Sequence, residues 1–280
     1  MEVPASGPRG GLLWLTTPPQ TPKRSSQQPK TLRLVSPDTT LLVCLKSEGK
    51  LVLACDSRGT FGDPRGVTAQ NDSQIKLFRL TDRVGIMAAG VGELGATVVQ
   101  SLQGQISDPK AGIDVVLPKV CTSLASMFDQ WFPIEKFQVQ ALSGEDATRP
   151  DLAFILAGFP TPGKGKEEEP QIFSLLGPLN FAPLLHNYGF ALSGVAQYAL
   201  YLLNRIYKND ITLQDAIAMA HYVITETATQ DGKVGGPVRM ATIDPKTGYS
   251  EVSESTVAEL KKRDQKVNEE LAKLFRTPKP

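Results

Sequence analysis

The sequence predicts an α+β fold in which two antiparallel sheets pack face to face and helices cover their outer faces. Strand-like and helix-like segments come in runs, in the order strands, helices, strands, helices, strands, and do not alternate one by one. Such runs favour α+β layering over a doubly wound parallel sheet. Because 41% of the 280 residues are hydrophobic, the chain can form a core of the required size.

Composition divides the chain into three parts. Residues 1–38 are rich in Pro, Ser, Gly, Lys and Arg and show little periodicity, which predicts a disordered leader or propeptide. Residues 39–256 carry the strand and helix patterns of the α+β domain. Residues 257–280 are predicted to be a charged amphipathic helix and tail, since their apolar side chains recur at helical spacing.

The first half of the domain reads as strands followed by helices. Two apolar runs around the turn "SEGK" predict a β-hairpin. The predicted elements are strands over 41–46 and 51–55, a loop over 57–72, strands over 73–80 and 84–92, and helices over 92–106 and 112–132.

The second half repeats this arrangement and ends on a helix. The charge run in "PTPGKGKEEEP" predicts a solvated loop between two strands. The predicted elements are strands over 151–159, 171–177 and 188–194, helices over 195–207 and 212–228, strands over 236–243 and 248–253, and a helix over 256–275.

Charge and cysteine content narrow the class of protein. A formal net charge of +1 gives no support for nucleic acid or an anionic membrane as a partner. No apolar run approaches the roughly 20 residues of a membrane span. The three cysteines do not form a disulfide framework, and Cys44 and Cys55 lie in apolar runs typical of buried strands. We therefore expect a cytoplasmic protein.

The sequence offers little for metal or cofactor chemistry. It has two histidines, and no cysteine pair has the spacing of zinc ligands. His221 lies in an apolar helical run, where a packed helix residue is the simpler interpretation. The glycines of "GVGELGA" are not followed by the Lys-Ser/Thr of a phosphate-binding loop, and the flanking strands do not supply a parallel βαβ unit. We expect neither metal nor cofactor.

The hairpin that begins with Thr39-Thr40 offers a different chemistry. A threonine at the start of a chain can act as a nucleophile with its own α-amine, of pKa near 8, as the base. A lysine beside the hydroxyl would favour its ionised form, and an aspartate would hold that lysine in place. Since this arrangement needs a free amine, a leader ahead of the threonine would block it until the leader is removed.

Several segments, taken in order, resemble a known family. "TTLLVCLKSEGKLVLACDSRGT", "IKLFRL" and "MAAGVGELGA" are similar to the N-terminal third of proteasome β-type subunits, which are N-terminal nucleophile hydrolases. The resemblance continues in "ALSGVAQYALYLL", "LQDAIAMAHYVI" and "QDGKVGGPVRMATI", and it covers Thr39 to Ser255. It implies a four-layer αββα sandwich and a threonine endopeptidase that hydrolyses polypeptides within a ring of identical or different subunits.

The resemblance also implies a role for each matching position. The implied catalytic positions are Thr39 or Thr40 as the nucleophile, Asp56 to orient the lysine, Lys76 as that lysine, the backbone N–H of Gly90 as the oxyanion donor, and Ser193 and Asp231 beside the terminal amine.

Substrate contacts follow from the same comparison. Thr60 and Gly92 would hydrogen-bond an extended substrate strand. Gln74, Phe78 and Ala88 would line the first specificity pocket, which would be mostly apolar and suit a medium or large hydrophobic side chain.

Simpler interpretations exist for the same residues. Asp56 could cap a turn at a strand end, and Lys76 could be a solvent-facing strand residue. Ser193 could cap the following helix, and Asp231 could belong to an ordinary turn.

The sequence departs from the family pattern at two positions and in its register. Asp38 stands where active subunits carry glycine, and Val234 stands where they carry a serine. Counting back from Asp56 favours Thr40 as the nucleophile, whereas the usual Thr-Thr start favours Thr39, and one residue of slip reverses the faces of a strand.

These differences leave three hypotheses open. The first is the threonine endopeptidase, activated by removal of the leader. The second, motivated by the departures at 38 and 234, is a proteasome-fold subunit without peptidase activity and with a structural or assembly role. The third is another N-terminal nucleophile amidohydrolase that acts on a small amide.

Overall fold

The computed structural model describes residues 40–63, 66–90, 94–136, 149–163 and 168–276. The predicted leader over 1–38 lies outside the described residues. The strands among the described residues are β1 Leu41–Ser47, β2 Lys50–Cys55, β3 Gly59–Asp63, β4 Gly66–Asn71, β5 Leu77–Arg79, β6 Val84–Gly90, β7 Leu152–Gly158, β8 Gln171–Leu176, β9 Pro183–Leu185, β10 Phe190–Gly194, β11 Arg239–Asp244 and β12 Gly248–Glu251.

Helices separate these strands into the predicted runs. The α-helices with both ends among the described residues are α1 Leu94–Gln105, α2 Ile113–Trp131, α3 Ala196–Ile206, α4 Leu213–Gln230 and α5 Glu254–Leu274. None of the helices in the described part of the chain is both long enough and apolar enough to cross a membrane.

The strands form two five-stranded sheets and one separate two-stranded hairpin. The first sheet has the order β10-β1-β2-β11-β12 and the second the order β5-β6-β7-β8-β9, while β3 pairs with β4. The pairs are antiparallel, for example β1 with β2 and β6 with β7. The prediction of an α+β fold built on antiparallel sheets is therefore confirmed.

Three apolar clusters hold the layers together. Alternate residues of β1 serve two of them: Leu42 and Cys44 face the second sheet, and Leu41 and Val43 face α3 and α4. The cluster between the two sheets includes Leu53, Met87, Ile155, Ala157, Phe159 and Ile243. The outer face of the second sheet is covered by α1 and α2, through residues such as Val98, Leu102, Val116 and Leu124.

This layering explains why the central strands are apolar along their whole length. A strand that is covered on both faces has no solvent side, so strict alternation of apolar and polar residues is lost. All seven residues of β7 are buried. The four layers of the fold therefore follow the order helices, sheet, sheet, helices.

Two expectations about strands were wrong. Residues 57–72 were expected to be a loop, but they contain the β3–β4 hairpin, with Gly59 opposite Asn71. The predicted strand over 73–80 is shortened to β5, Leu77–Arg79, because residues 72–76 form the turn and connection that follow β4. Short polar strands carry little hydrophobic pattern, so the hairpin was missed.

Candidate active site

Three polar side chains meet at the open end of the β1–β2 hairpin, next to the start of β5. Thr40 directly precedes β1 and Asp56 directly follows β2, so the antiparallel pairing of these strands brings them together. Lys76 directly precedes β5, an edge strand of the second sheet. The three residues are buried, with 3%, 0% and 3% of their surface exposed.

The lysine ammonium lies at the centre of this group. Lys76 Nζ donates to Thr40 Oγ1, to Asp56 Oδ1 at 2.8 Å and to the backbone carbonyl of Arg58 at 2.6 Å. These three acceptors match the three protons of an ammonium group. Lys76 is therefore not a solvent-facing strand residue, and its charge is directed at the threonine hydroxyl.

Asp56 is held by hydrogen bonds to both of its carboxylate oxygens. Oδ1 accepts from the backbone N–H of Leu41 at 3.0 Å, in addition to Lys76. Oδ2 accepts from the backbone N–H groups of Arg58 and Gly235, each at 3.1 Å. Because Asp56 is paired with Lys76 and both of its oxygens accept hydrogen bonds, the ion pair can stay buried.

The backbone around Thr40 is closely packed. Val195 N–H donates to the Thr40 carbonyl at 2.7 Å. Gly194 has φ +91°, and a Cβ there would lie 1.7 Å from the Thr40 carbonyl oxygen, so only glycine fits. The β1–β10 register places the neighbouring Ser193 opposite Leu42.

Ser193 is buried beside this point. Its surface is 4% exposed, and its Oγ has no hydrogen-bond partner among the described residues. The residue that caps α3 is Val195, without a side-chain hydrogen bond, so Ser193 is not the cap of that helix. A buried hydroxyl with unused hydrogen-bonding capacity therefore lies on β10, the strand that pairs with β1, close to the start of β1.

A small cleft opens next to the threonine. It is lined by Thr40, Gln74, Ile75, Lys76, Ala88, Ala89, Gly90, Gly95 and Ala96. Gly90 has φ +126°, and a Cβ there would lie 2.1 Å from the Asp151 carbonyl oxygen, so the close approach of β6 to that carbonyl requires glycine. The cleft joins the hydroxyl, the ammonium and the end of β6 in one place.

The predicted substrate residues are distributed unevenly. Gln74 and Ala88 line the cleft. Phe78 packs instead against the apolar cluster beneath α1 and α2, because it points to the other face of β5 from Leu77. Thr60 lies on β3 opposite Gln70. Gly92 lies outside the described residues, as does Thr39.

The segment after α4 contacts the site through its backbone. The Asp231 carboxylate accepts from the Lys233 backbone N–H at 2.9 Å, which is the geometry of a turn at a helix end. Val234 is fully buried in the cluster beneath α3 and α4, so this position adds packing and no hydroxyl. It is the next residue, Gly235, whose N–H reaches Asp56.

Two solved structures with a similar fold are both of Anbu proteins. The chain is similar to Anbu (ancestral beta-subunit) from Yersinia bercovieri, with a TM-score of 0.59, 18% identity, and coverage of 86% of this chain and 99% of that chain. It is also similar to the Anbu (Gly-1) mutant from Hyphomicrobium sp. strain MC1, with a TM-score of 0.55, 18% identity, and coverage of 86% and 100%. No protein-family model matches the chain.

These comparisons correct the identification made from the sequence. The fold is proteasome-like, but the neighbours are Anbu proteins, which are distinct from proteasome β-type subunits, so the assignment to that family was wrong. The short motifs that carried the resemblance surround the hairpin and the glycine-bearing turns. Those features belong to the fold, so they could not separate one of its families from another.

Sequence reasoning also missed residues that contact the site. Arg58 bonds Asp56 and Lys76 through its backbone, and its side chain reaches Asp72 and Gly232. An arginine two residues after the aspartate and an aspartate four residues before the lysine were visible in the sequence. Nothing in the local pattern, however, indicated that they pair.

Proposed function

We propose that this chain is a threonine-type endopeptidase that uses Thr40 as its nucleophile. The observation that carries the proposal is the buried contact of Lys76 Nζ with Thr40 Oγ1 and Asp56 Oδ1. A cation directed at a hydroxyl stabilises the alkoxide that develops when the hydroxyl attacks a carbonyl. The hydroxyl that makes this contact is that of Thr40.

The proposed reaction begins with cleavage of the bond before Thr40, which frees its α-amine. As Thr40 Oγ bonds to the substrate carbonyl carbon, its proton passes to that amine and the carbonyl oxygen takes up the electron pair. The Gly90 N–H is the proposed donor to this oxyanion. The C–N bond then breaks, and the leaving amine takes the proton from the Thr40 ammonium.

Hydrolysis of the resulting ester completes the cycle. Water attacks the ester carbonyl and gives its proton to the Thr40 amine. The ester C–O bond breaks and Oγ regains a proton, so the hydroxyl and the free amine are restored. Lys76 stays in contact with Oγ, and Asp56 holds Lys76 in place. The buried hydroxyl of Ser193 is the proposed partner of the terminal amine, since it has hydrogen-bonding capacity to spare among the described residues.

The proposed substrates are extended polypeptides. The cleft beside Thr40 is narrow and lined by small residues of β6 and α1, among them Ala88 and Gly95. An extended strand is the form of substrate that can enter such a space and pair with the strand end at Gly90. The similarity to a protein described as an ancestral beta-subunit supports an assembly of similar subunits, and we propose a ring.

A peptidase assay on matched threonine variants tests this proposal. Thr40→Ala is expected to reduce turnover of fluorogenic peptides to background, because it removes the hydroxyl that contacts Lys76, whereas Thr39→Ala leaves that hydroxyl in place and should keep turnover. Thr40→Ser should retain part of the activity, since it keeps a hydroxyl. Undiminished cleavage by Thr40→Ala would exclude the mechanism.

A second function is favoured by a different observation. Val234 contributes packing where a hydroxyl was expected, and the Asp231 carboxylate is engaged by Lys233. Both leave the terminal amine with fewer polar neighbours, as in a subunit with a structural or assembly role and no peptidase activity. Purified protein that assembles, retains the residues before Thr40 and shows no turnover would support this alternative.

A further inference from the structure

Arg58 is joined to the candidate active site through its backbone. Its N–H donates to Asp56 Oδ2 at 3.1 Å, and its carbonyl accepts from Lys76 Nζ at 2.6 Å. The carbonyl is one of the three acceptors of hydrogen bonds from the ammonium of Lys76. If the peptide unit of residue 58 moved, the ammonium would lose this acceptor and could rotate away from Thr40.

The side chain of Arg58 is fixed at the surface by two further contacts. Nε and Nη2 donate to the two carboxylate oxygens of Asp72 at 2.7 and 3.0 Å, which is a bidentate pair. Nη1 donates to the Gly232 carbonyl at 3.0 Å. A Cβ at Gly235 would lie 2.5 Å from the guanidinium carbon, so glycine at that position leaves room for the arginine.

These contacts connect the same two segments that carry the buried ion pair. Asp56 and Arg58 lie on the connection between β2 and β3, while Asp72 and Lys76 lie on the connection between β4 and β5. The Asp56–Lys76 pair crosses between them in the interior, and the Arg58–Asp72 pair crosses between them near the surface. The Gly232 contact adds the turn that follows α4.

The outer pair is too exposed to contribute much to global stability. The side chains of Arg58 and Asp72 are 21% and 45% exposed, and exposed ion pairs contribute little to the free energy of unfolding. Its geometry is nevertheless fixed, because a bidentate arginine holds both position and orientation. Its effect should therefore be local, on the placement of the segments beside Lys76.

We propose that Arg58 is a positioning residue and that its pairing with Asp72 holds Lys76 and Asp56 in the arrangement that activates Thr40. This inference rests on the proposed function. Arg58 acts through its backbone on Lys76, and Asp72 acts through Arg58. Loss of either side chain lets residues 56–58 and 72–76 move apart, so that the ammonium no longer holds its contact with Thr40.

The test compares Arg58→Ala and Asp72→Asn with a matched control. Arg79 and Asp82 form another exposed arginine–aspartate pair, so Asp82→Asn removes a similar charge contact. For Arg58→Ala and Asp72→Asn we expect kcat to fall about tenfold or more, because small displacements of reacting groups slow the chemical step. KM and the melting temperature should change little, and Asp82→Asn should leave kcat unchanged.

Hydrogen exchange supplies a readout that does not depend on activity. Exchange in residues 70–76 and 231–236 should rise in Asp72→Asn and in Arg58→Ala, and stay the same in Asp82→Asn. Unchanged exchange or unchanged kcat in the first two variants would overturn the inference. If exchange rises as expected but Thr40→Ala is as active as the wild type, the proposed function fails while the physical connection between the segments stands.

Discussion

At the scale of single residues, the decisive feature is a lysine that is buried yet fully hydrogen-bonded. Lys76 and Asp56 are almost inaccessible to water, and an isolated charge in such a place would be strongly unfavourable. Three acceptors for the ammonium and three backbone donors for the carboxylate make the pair tolerable. The same bonds direct the positive charge at Thr40.

Lys76→Met should therefore destabilise the fold strongly. It leaves the Asp56 carboxylate buried without its counter-charge, and breaking a buried pair in this way lowers the free energy of unfolding by about 3–5 kcal/mol. Lys50→Met is a matched control, since Lys50 Nζ lies 2.9 Å from Asp244 but is 36% exposed. Lys50→Met should lower the free energy of unfolding, measured by urea denaturation, by less than about 1 kcal/mol. Equal losses in the two variants would contradict this view of the site.

The Lys50–Asp244 pair gives a pH dependence with a definite sign. The hydrogen bond from Lys50 lowers the pKa of Asp244, so this carboxyl binds a proton less readily in the folded state than in the unfolded state. The contribution of Asp244 to the free energy of unfolding is present above its pKa in the unfolded state, about 3.9, and is lost as pH falls through its pKa in the folded state. In urea titrations, the free energy of unfolding should fall less steeply with decreasing pH for Asp244→Asn than for the wild type. Equal slopes of that free energy against pH below pH 4 would contradict this.

The cysteines should differ in reactivity. Burial raises the pKa of Cys55 to about 12, and burial also raises that of Cys44, so neither forms the reactive thiolate at neutral pH. Cys121 is only partly buried. A thiol reagent at pH 8 should therefore label Cys121 alone in the folded protein and all three cysteines in urea, as read by mass spectrometry. Rapid labelling of Cys44 or Cys55 before unfolding would show that the first hairpin is not buried.

At the scale of elements, the C-terminal helix depends on a few contacts. Its buried residues are Leu260 and Asp264. Asp264 Oδ2 lies 2.7 Å from His221 Nδ1 and accepts from Thr225 Oγ1 at 2.8 Å, so the carboxylate connects α5 to α4. His221 was expected from the sequence to be a packed helix residue, which agrees with this position. Its pairing with Asp264 was not expected.

Asp264→Ala should loosen α5 selectively. Removing the carboxylate leaves His221 buried without its hydrogen bond, which costs about 1–3 kcal/mol. Hydrogen exchange should increase across residues 254–274 and remain unchanged in β1 and β2. Arg263→Ala is the control, because the Arg263–Asp215 pair is 3.7 Å apart and largely exposed. If both variants exchange alike, the buried contact does not hold the helix.

How far the sequence could predict these elements depends on burial. Helices and central strands bury regular apolar faces, so periodicity located them and gave the α+β class. The sequence of β3 and β4 carries no such apolar periodicity, so the hairpin was missed. Lys76 was assigned through a family resemblance, since its spacing alone allowed an exposed strand position. The Arg58–Asp72 pair joins two connecting segments through space, which no local pattern reports.

At the scale of the whole molecule, several large apolar side chains lie at the surface. They include Leu185, Tyr188, Tyr201, Leu274 and Phe275, which are between 51% and 88% exposed. Apolar side chains that form one contiguous patch are typical of interfaces between subunits, whereas scattered ones are ordinary. Because we propose a ring, we expect sedimentation velocity at micromolar concentration to give a mass several times that of one chain. A single species of monomer mass would argue against the ring proposed here.

The most direct test of the account is the N-terminal residue of the purified, active protein, determined by intact mass and N-terminal sequencing. The account predicts that active protein begins at Thr40, and that a Thr40→Ala variant both keeps the preceding residues and loses peptidase activity. Protein that cleaves peptides while it retains residues ahead of Thr40 would contradict the central claim.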